Sequence, residues 1–254
     1  MKLLLKDLWK KFWVLALFFL LPSWGEIIYI GTAGNTSYLL PQLIALFQKQ
    51  HPQIKIKPII ASSGKLTAQI RHHAPFQLFL SANMKYPQAL YREGFGAEPP
   101  KIYARGKLSL VTLKQDLNLS LQNLPNLSSI AIANPKTAPY GTEAVKAFKN
   151  AGVYQKIKNK LVYSENVTGV IPYVLHGVEV GVVAESALHS PKLRKFHLHS
   201  APVPSKYYTP IPQGALLLKT ATPEARAFYN FLFTPPAQKL FKEYGYLVGE
   251  GERE

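Results

Sequence analysis

Apolar positions alternate along the chain between short runs and stripes of helical period. Glu26–Thr32 (EIIYIGT) predicts a strand. Over Tyr38–Gln50, Leu39, Leu43 and Leu46 with Leu40, Ile44 and Phe47 recur at the 3.6-residue spacing of a helix. Pro41 lacks an amide hydrogen and fits only the first turn, so that helix must start near Ser37. Ile54–Ala61 predicts a second strand, Lys65–His72 a short helix and Phe76–Ser81 a third strand. A second series follows: strands Leu108–Leu113 and Ile130–Ala133, helix Thr142–Ala151, strand Leu161–Tyr163, helix Thr168–His176 and strand Gly181–Ala184. The chain then gives strand Gly214–Leu218 and helices at Pro223–Phe233 and Pro236–Tyr244. Strands alternating with helices of this length predict an α/β protein with parallel sheets.

Two stretches read as connectors. Gly94–Gly106 is rich in Gly and Pro, and Ser200–Pro212 carries four prolines, which stiffen a chain toward extended conformations. Two connectors and three segments predict a discontinuous first lobe, 26–104 with 206–254, and an inserted second lobe, 105–205. A cleft between two lobes is a common ligand site.

The N-terminus sets the compartment. Lys2, Lys6, Lys10 and Lys11 precede ten apolar residues, Phe12–Leu21, then Pro22 and the small residues Ser23 and Gly25. Ten residues are too few for a membrane span, which needs about 20. The layout predicts a cleavable secretory signal over residues 1–25, with an uncleaved anchor as the alternative, and hence export to a bacterial cell envelope. The 254 residues contain no Cys, which removes disulfides, thiol chemistry and a lipid-modified N-terminal cysteine. The formal charge is +16, and +13 remains without residues 1–25. Such an excess suits anionic partners, yet Lys and Arg are scattered from Lys49 to Lys242 without a dense run, so no nucleic-acid partner is expected.

Candidate chemistry gathers at four strand-to-helix junctions: Gly34-Asn35-Thr36-Ser37, Ser62-Ser63-Gly64, Pro139-Tyr140-Gly141-Thr142 and Glu165-Asn166-Val167-Thr168-Gly169. Each places small neutral groups at a helix start, where free N–H groups carry about half a positive charge. Ser, Thr and Asn are also ordinary N-caps, so one junction alone says little. Two junctions fall in each lobe, and together they can surround a small anion without Lys or Arg.

Several segments carry a family resemblance in order along the chain: ASSGKLTAQI (61–70) with APFQLFLSAN (74–83), IAIANPKTAPYGTEA (130–144), SENVTGVIPYVLHGVEVGVV (164–183) and ARAFYNFLFTPPAQKLFKEYGY (225–246). The chain resembles the periplasmic molybdate-binding proteins, the solute-binding subunits of molybdate/tungstate ABC importers. The resemblance implies a two-lobed α/β periplasmic-binding-protein architecture, the type II solute-binding fold, with the ligand cleft between the lobes. It also implies no catalysis, no cofactor, a monomer, a membrane permease as partner, and molybdate or tungstate as cargo with no direct protein–metal ligand. Carried onto this chain, the oxyanion ligands would be Asn35, Ser63, Tyr140 and Val167, the last through its backbone N–H. Ala184 stands where many members place a ligand Tyr, and Tyr140 is expected to supply the replacement hydroxyl.

The alternatives are a binder of another tetrahedral oxyanion, such as sulfate, and an exported α/β enzyme. The chain has no G-x-S-x-G, H-E-x-x-H or P-loop motif. His72-His73 and His197-Leu198-His199 are its only histidine clusters. The second pair is expected to share one face of a strand, solvated rather than metal-bound. Glu165, Glu179 and Glu185 read as surface or interface groups.

Overall fold

The structure is a computed structural model describing residues 27–249; the signal segment expected at 1–25 lies outside the described residues. Ten strands form two five-stranded sheets. The first holds β1 (Ile27–Ala33), β2 (Lys55–Ala61), β3 (Leu78–Ser81), β4 (Lys101–Gly106) and β10 (Ile211–Leu217), in the order β2-β1-β3-β10-β4. The second holds β5 (Leu108–Thr112), β6 (Ile130–Ala133), β7 (Leu161–Ser164), β8 (Val180–Ala184) and β9 (His199–Pro202), in the order β7-β6-β8-β5-β9. The chain crosses from the first sheet to the second at Lys107 and returns between Pro202 and Ile211. Each sheet with its helices is one lobe.

Both sheets are mixed, which corrects the all-parallel expectation. β1 pairs β2 and β3 in parallel, but β10 runs antiparallel to β3 and β4. β6 pairs β7 and β8 in parallel, but β5 runs antiparallel to β8 and β9. The antiparallel pairs sit beside the two crossings, where a strand leaves one lobe and another returns.

Side-chain alternation builds the layers. In the first lobe Ile28, Ile30, Leu78 and Leu80 pack against Phe47, Phe228 and Phe241 on one face. Phe79 and Leu216 meet Leu66, Ile70 and Leu90 on the other. In the second lobe Leu110, Ile130, Ile132 and Val182 pack on Tyr140 and Phe148, while Val111, Ala131 and Val183 meet Val170 and Val174. Each sheet is thus covered on both faces, which explains the nearly continuous apolar strands.

Other departures are local. Leu40–Gln48 is α-helical with Pro41 in its first turn, preceded by a 3-10 turn, Gly34–Tyr38. A helix at Lys85–Arg92 carries no expectation from the sequence; its Pro87 falls in the first turn, where no intrahelical bond is lost. β4 lies inside the connector expected at Gly94–Gly106, and β9 and β10 intrude into the one expected at Ser200–Pro212. His197 is not in a strand: it ends a 3-10 turn at φ 48°, so His197 and His199 do not form a strand pair. Among the described residues no group of three or more His, Asp and Glu side chains could hold a metal ion.

Candidate functional site

The four junctions meet. One small cavity between the lobes, about 190 Å³ of atom-free space with its mouth, is lined by Ala33, Gly34 and Asn35 from the first and Ser62 and Ser63 from the second. Ala138, Pro139 and Tyr140 line it from the third junction, and Asn166 and Val167 from the fourth; Ala82 completes the wall. All four expected ligand residues are therefore at one place, and no charged side chain lines it. Wider hollows, of about 1600 and 1640 Å³, lie along the crossings and the β4 edge. Neither collects these helix starts.

Local sequence explains why donors face the cavity. Ser62 caps the helix Ser63–Arg71 by accepting Lys65 N–H, and the Ser63 hydroxyl accepts Ala82 N–H at 3.0 Å. With one lone pair so occupied, the fully buried Ser63 hydroxyl still has its own hydrogen to donate. In the helix Pro139–Asn150, Pro139 has no N–H, so Tyr140 brings the first free amide hydrogen. Asn166 caps the turn Val167–Gly169 by accepting from Thr168 N–H and Gly169 N–H, at 2.9 and 3.3 Å. Val167 N–H is left for the cavity.

Asn35 is held by residues that sequence reasoning missed. Its Nδ2 donates to Gln213 Oε1 and to the Tyr246 hydroxyl, both at 2.8 Å. Gln213 is itself oriented by donating Nε2–H to the Ile211 carbonyl at 2.7 Å. Both Asn35 amide hydrogens are thus committed, and Oδ1 is buried without a partner. What Asn35 can offer an anion is its main-chain N–H at the start of the 3-10 turn. The one sequence signal for Gln213 is a lone polar side chain inside the otherwise apolar strand Ile211–Leu217.

Tyr140 is buried, and its hydroxyl has no hydrogen-bond partner. Burial, with Tyr246 nearby, pushes its pKa well above that of a free tyrosine. Burial lifts Tyr246 to about 12. Both hydroxyls keep their protons through neutral and mildly alkaline pH.

Hydrogen bonds tie the lobes beside the cavity. Ser62 N–H donates to Glu165 Oε1 at 3.1 Å, Gly64 N–H to the Thr137 carbonyl at 2.9 Å, and the Ser186 hydroxyl to the Asn35 carbonyl at 2.9 Å. Glu165 therefore works at the lobe interface. Glu185 pairs with Lys107 at the crossing, and Glu179 is held by Lys114 and Ser128, which pull its pKa down to about 2.

Two α/β lobes joined by a double crossing, with helix starts from both lobes aimed into the cleft, define a solute-binding protein. The comparisons give the family: residues 28–247 match the bacterial extracellular solute-binding protein family, to which the chain belongs. It is 33% identical to the molybdate-binding protein of Rhodobacter capsulatus over 88% of this chain and 89% of that protein. It is 31% identical to the molybdate-binding protein of Azotobacter vinelandii over 86% of this chain and 89% of that one. Among solved structures, the periplasmic molybdate-binding protein of Azotobacter vinelandii superposes with a TM-score of 0.79 at 29% identity, covering 88% of this chain and all of that one. The sulfate-binding protein SubI of Mycobacterium tuberculosis shares the fold at a TM-score of 0.74 with 13% identity, covering 89% of this chain and 88% of that one. These relatives are binding proteins, not enzymes.

Proposed function

We propose that this protein captures molybdate or tungstate between its lobes in the periplasm and delivers it to the permease of an ABC importer. The observation that carries the reading is the convergence of four helix starts, two from each lobe, on one cavity without charged walls. Ser63 would donate its hydroxyl and N–H, Val167 and Asn35 their N–H groups, and Tyr140 its N–H and hydroxyl. A tetrahedral dianion accepts many such bonds. Each is charge-assisted and about twice as strong as a neutral pair.

The mechanism is capture by closure. Donors from one lobe alone cover one side of the ion, and the second lobe supplies the rest only when the cleft shuts. The ion thus binds the closed form better and shifts the population toward it. The cross-cleft bonds of Ser62, Gly64 and Ser186 then add to the closed state. Because the donors are neutral, release needs only reopening, with no fixed counter-charge to break away from. The basic surface acts at most as a weak attractor for anions.

A second reading, capture of sulfate, has the same donors in its favour, and a sulfate-binding protein shares the fold. Cavity size would discriminate between the two ions. Calorimetric titration of ligand-free protein with each anion tests the choice. One molybdate or tungstate per chain with sulfate much weaker supports the reading, while tighter sulfate replaces it.

The donor chemistry also fixes a pH profile. With Tyr246 at about 12 and Tyr140 well above its free value, no cavity donor loses its proton in the working range. Tungstate affinity should vary less than about twofold between pH 7 and pH 9, the range in which hydroxyl and amide donors do not titrate. Titrations at both ends of the range check this.

A further inference from the structure

We propose that Gly106 is a positioning residue for the bound oxyanion, acting through the hydroxyl of Tyr140. This rests on the oxyanion reading above and extends it to the lobe crossing. Gly106 ends β4, one residue before the chain passes to the second lobe. It is not among the glycines at positive φ, so its backbone conformation does not call for glycine. Space does. A Cβ at Gly106 would lie 2.0 Å from the Tyr140 hydroxyl oxygen, 3.0 Å from its Cζ and 3.0 Å from Gln213 Nε2.

The hydroxyl of a second-lobe helix therefore rests on bare backbone of the first lobe. Its neighbour there, Gln213, has both ends of its amide engaged, Nε2–H on the Ile211 carbonyl and Oε1 on Asn35 Nδ2. The Tyr140 hydroxyl has no hydrogen-bond partner, although it is buried and its residue lines the cavity. Leaving such a group unpaired is costly, and an oxyanion oxygen is an acceptor that satisfies it. Gly106 sets how deeply Tyr140 sits toward the crossing, and so where its hydroxyl and N–H stand when the lobes are closed. Gln213 orients Asn35 beside it. Two residues outside the cavity wall thus fix two inside it.

The test is a double-mutant cycle read by molybdate calorimetry on wild type, Gly106→Ala, Tyr140→Phe and the double variant, with thermal melts alongside. Gly106→Ala should weaken molybdate binding about ten- to a hundredfold, the span of one charge-assisted hydrogen bond. In the Tyr140→Phe background the clashing oxygen is gone, and the ring edge and Gln213 Nε2, each at 3.0 Å, must give by only a few tenths of an ångström. There the same alanine should change affinity by less than about threefold, as expected when coupled sites lose their shared contact. Equal losses in both backgrounds, or no loss in the first, would overturn the role of Gly106 while leaving the function reading intact. If Gly106→Ala fails to fold, the double variant decides: folding with the affinity of Tyr140→Phe supports the proposal, and failure to fold overturns it. Wild type that binds neither molybdate, tungstate nor sulfate would overturn the function reading and this inference with it.

Discussion

Gly141→Ala is expected to destabilise the protein by about 3 kcal/mol, the upper range for overpacking, and to remove tight anion binding. A Cβ at this position would lie 2.0 Å from the Ala133 carbonyl oxygen and 2.7 Å from its carbon. Both atoms belong to the main chain of β6, a buried interior strand of the second sheet, so neither can turn aside as a side-chain tip would. The start of the helix Pro139–Asn150 must instead back away from the strand, and it carries Tyr140 with it. The melting temperature should fall by roughly 6–12 °C, taking about 2–4 °C per kcal/mol for a protein of this size. A thermal melt with a molybdate titration checks both parts. A variant with wild-type melting and affinity would show that this helix does not rest on the strand end.

Ser63→Ala should have the largest effect among substitutions within the cavity itself. It removes the hydroxyl proposed to face the anion, and loss of a charge-assisted bond weakens binding by about ten- to a hundredfold. A role confined to the anion would make this a pure binding defect. The hydrogen bond from Ala82 N–H to the Ser63 hydroxyl says otherwise, because alanine leaves that buried donor without its acceptor. The ligand-free protein should therefore also lose about 1–3 kcal/mol. Ser63→Cys restores an acceptor, though a weak one, and should recover more stability than affinity. Denaturant unfolding of both variants without ligand, followed by titration, separates the two effects. Unchanged affinity in Ser63→Ala would remove this hydroxyl from the set of donors.

Legibility in the sequence followed the range of the interactions involved. Ile130–Ala133 is a strand at its expected bounds, because four apolar residues between polar turns have no other use. The helices expected from Lys65, Thr142 and Thr168 begin one to three residues earlier, at Ser63, Pro139 and Val167, and were readable to that extent because caps and prolines act over three or four residues. Strand direction was not readable. β10 pairs with β4 across more than one hundred residues, and nothing local in either strand distinguishes antiparallel from parallel pairing. β4 itself was hidden because Pro99-Pro100 and Gly106 bracket it closely enough to imitate a loop. In the cavity the sequence pointed to the residues that start helices, whose chemistry is local. It missed Gln213, Tyr246 and Ser186, which reach Asn35 from positions more than 150 residues away. The charge of +16 points to a polyanion on composition alone, whereas the cavity wall is neutral.

The proposed capture of molybdate or tungstate by size in a neutral cavity is tested most directly by a thermal melt of ligand-free protein with molybdate, tungstate or sulfate at equal ionic strength. A ligand at about 100 times its dissociation constant adds roughly 2.7 kcal/mol, which corresponds to about 5–10 °C at this chain length. Molybdate and tungstate should each give such a shift, and sulfate at the same concentration should give little. Equal shifts from all three anions, or none from any, would contradict the assignment.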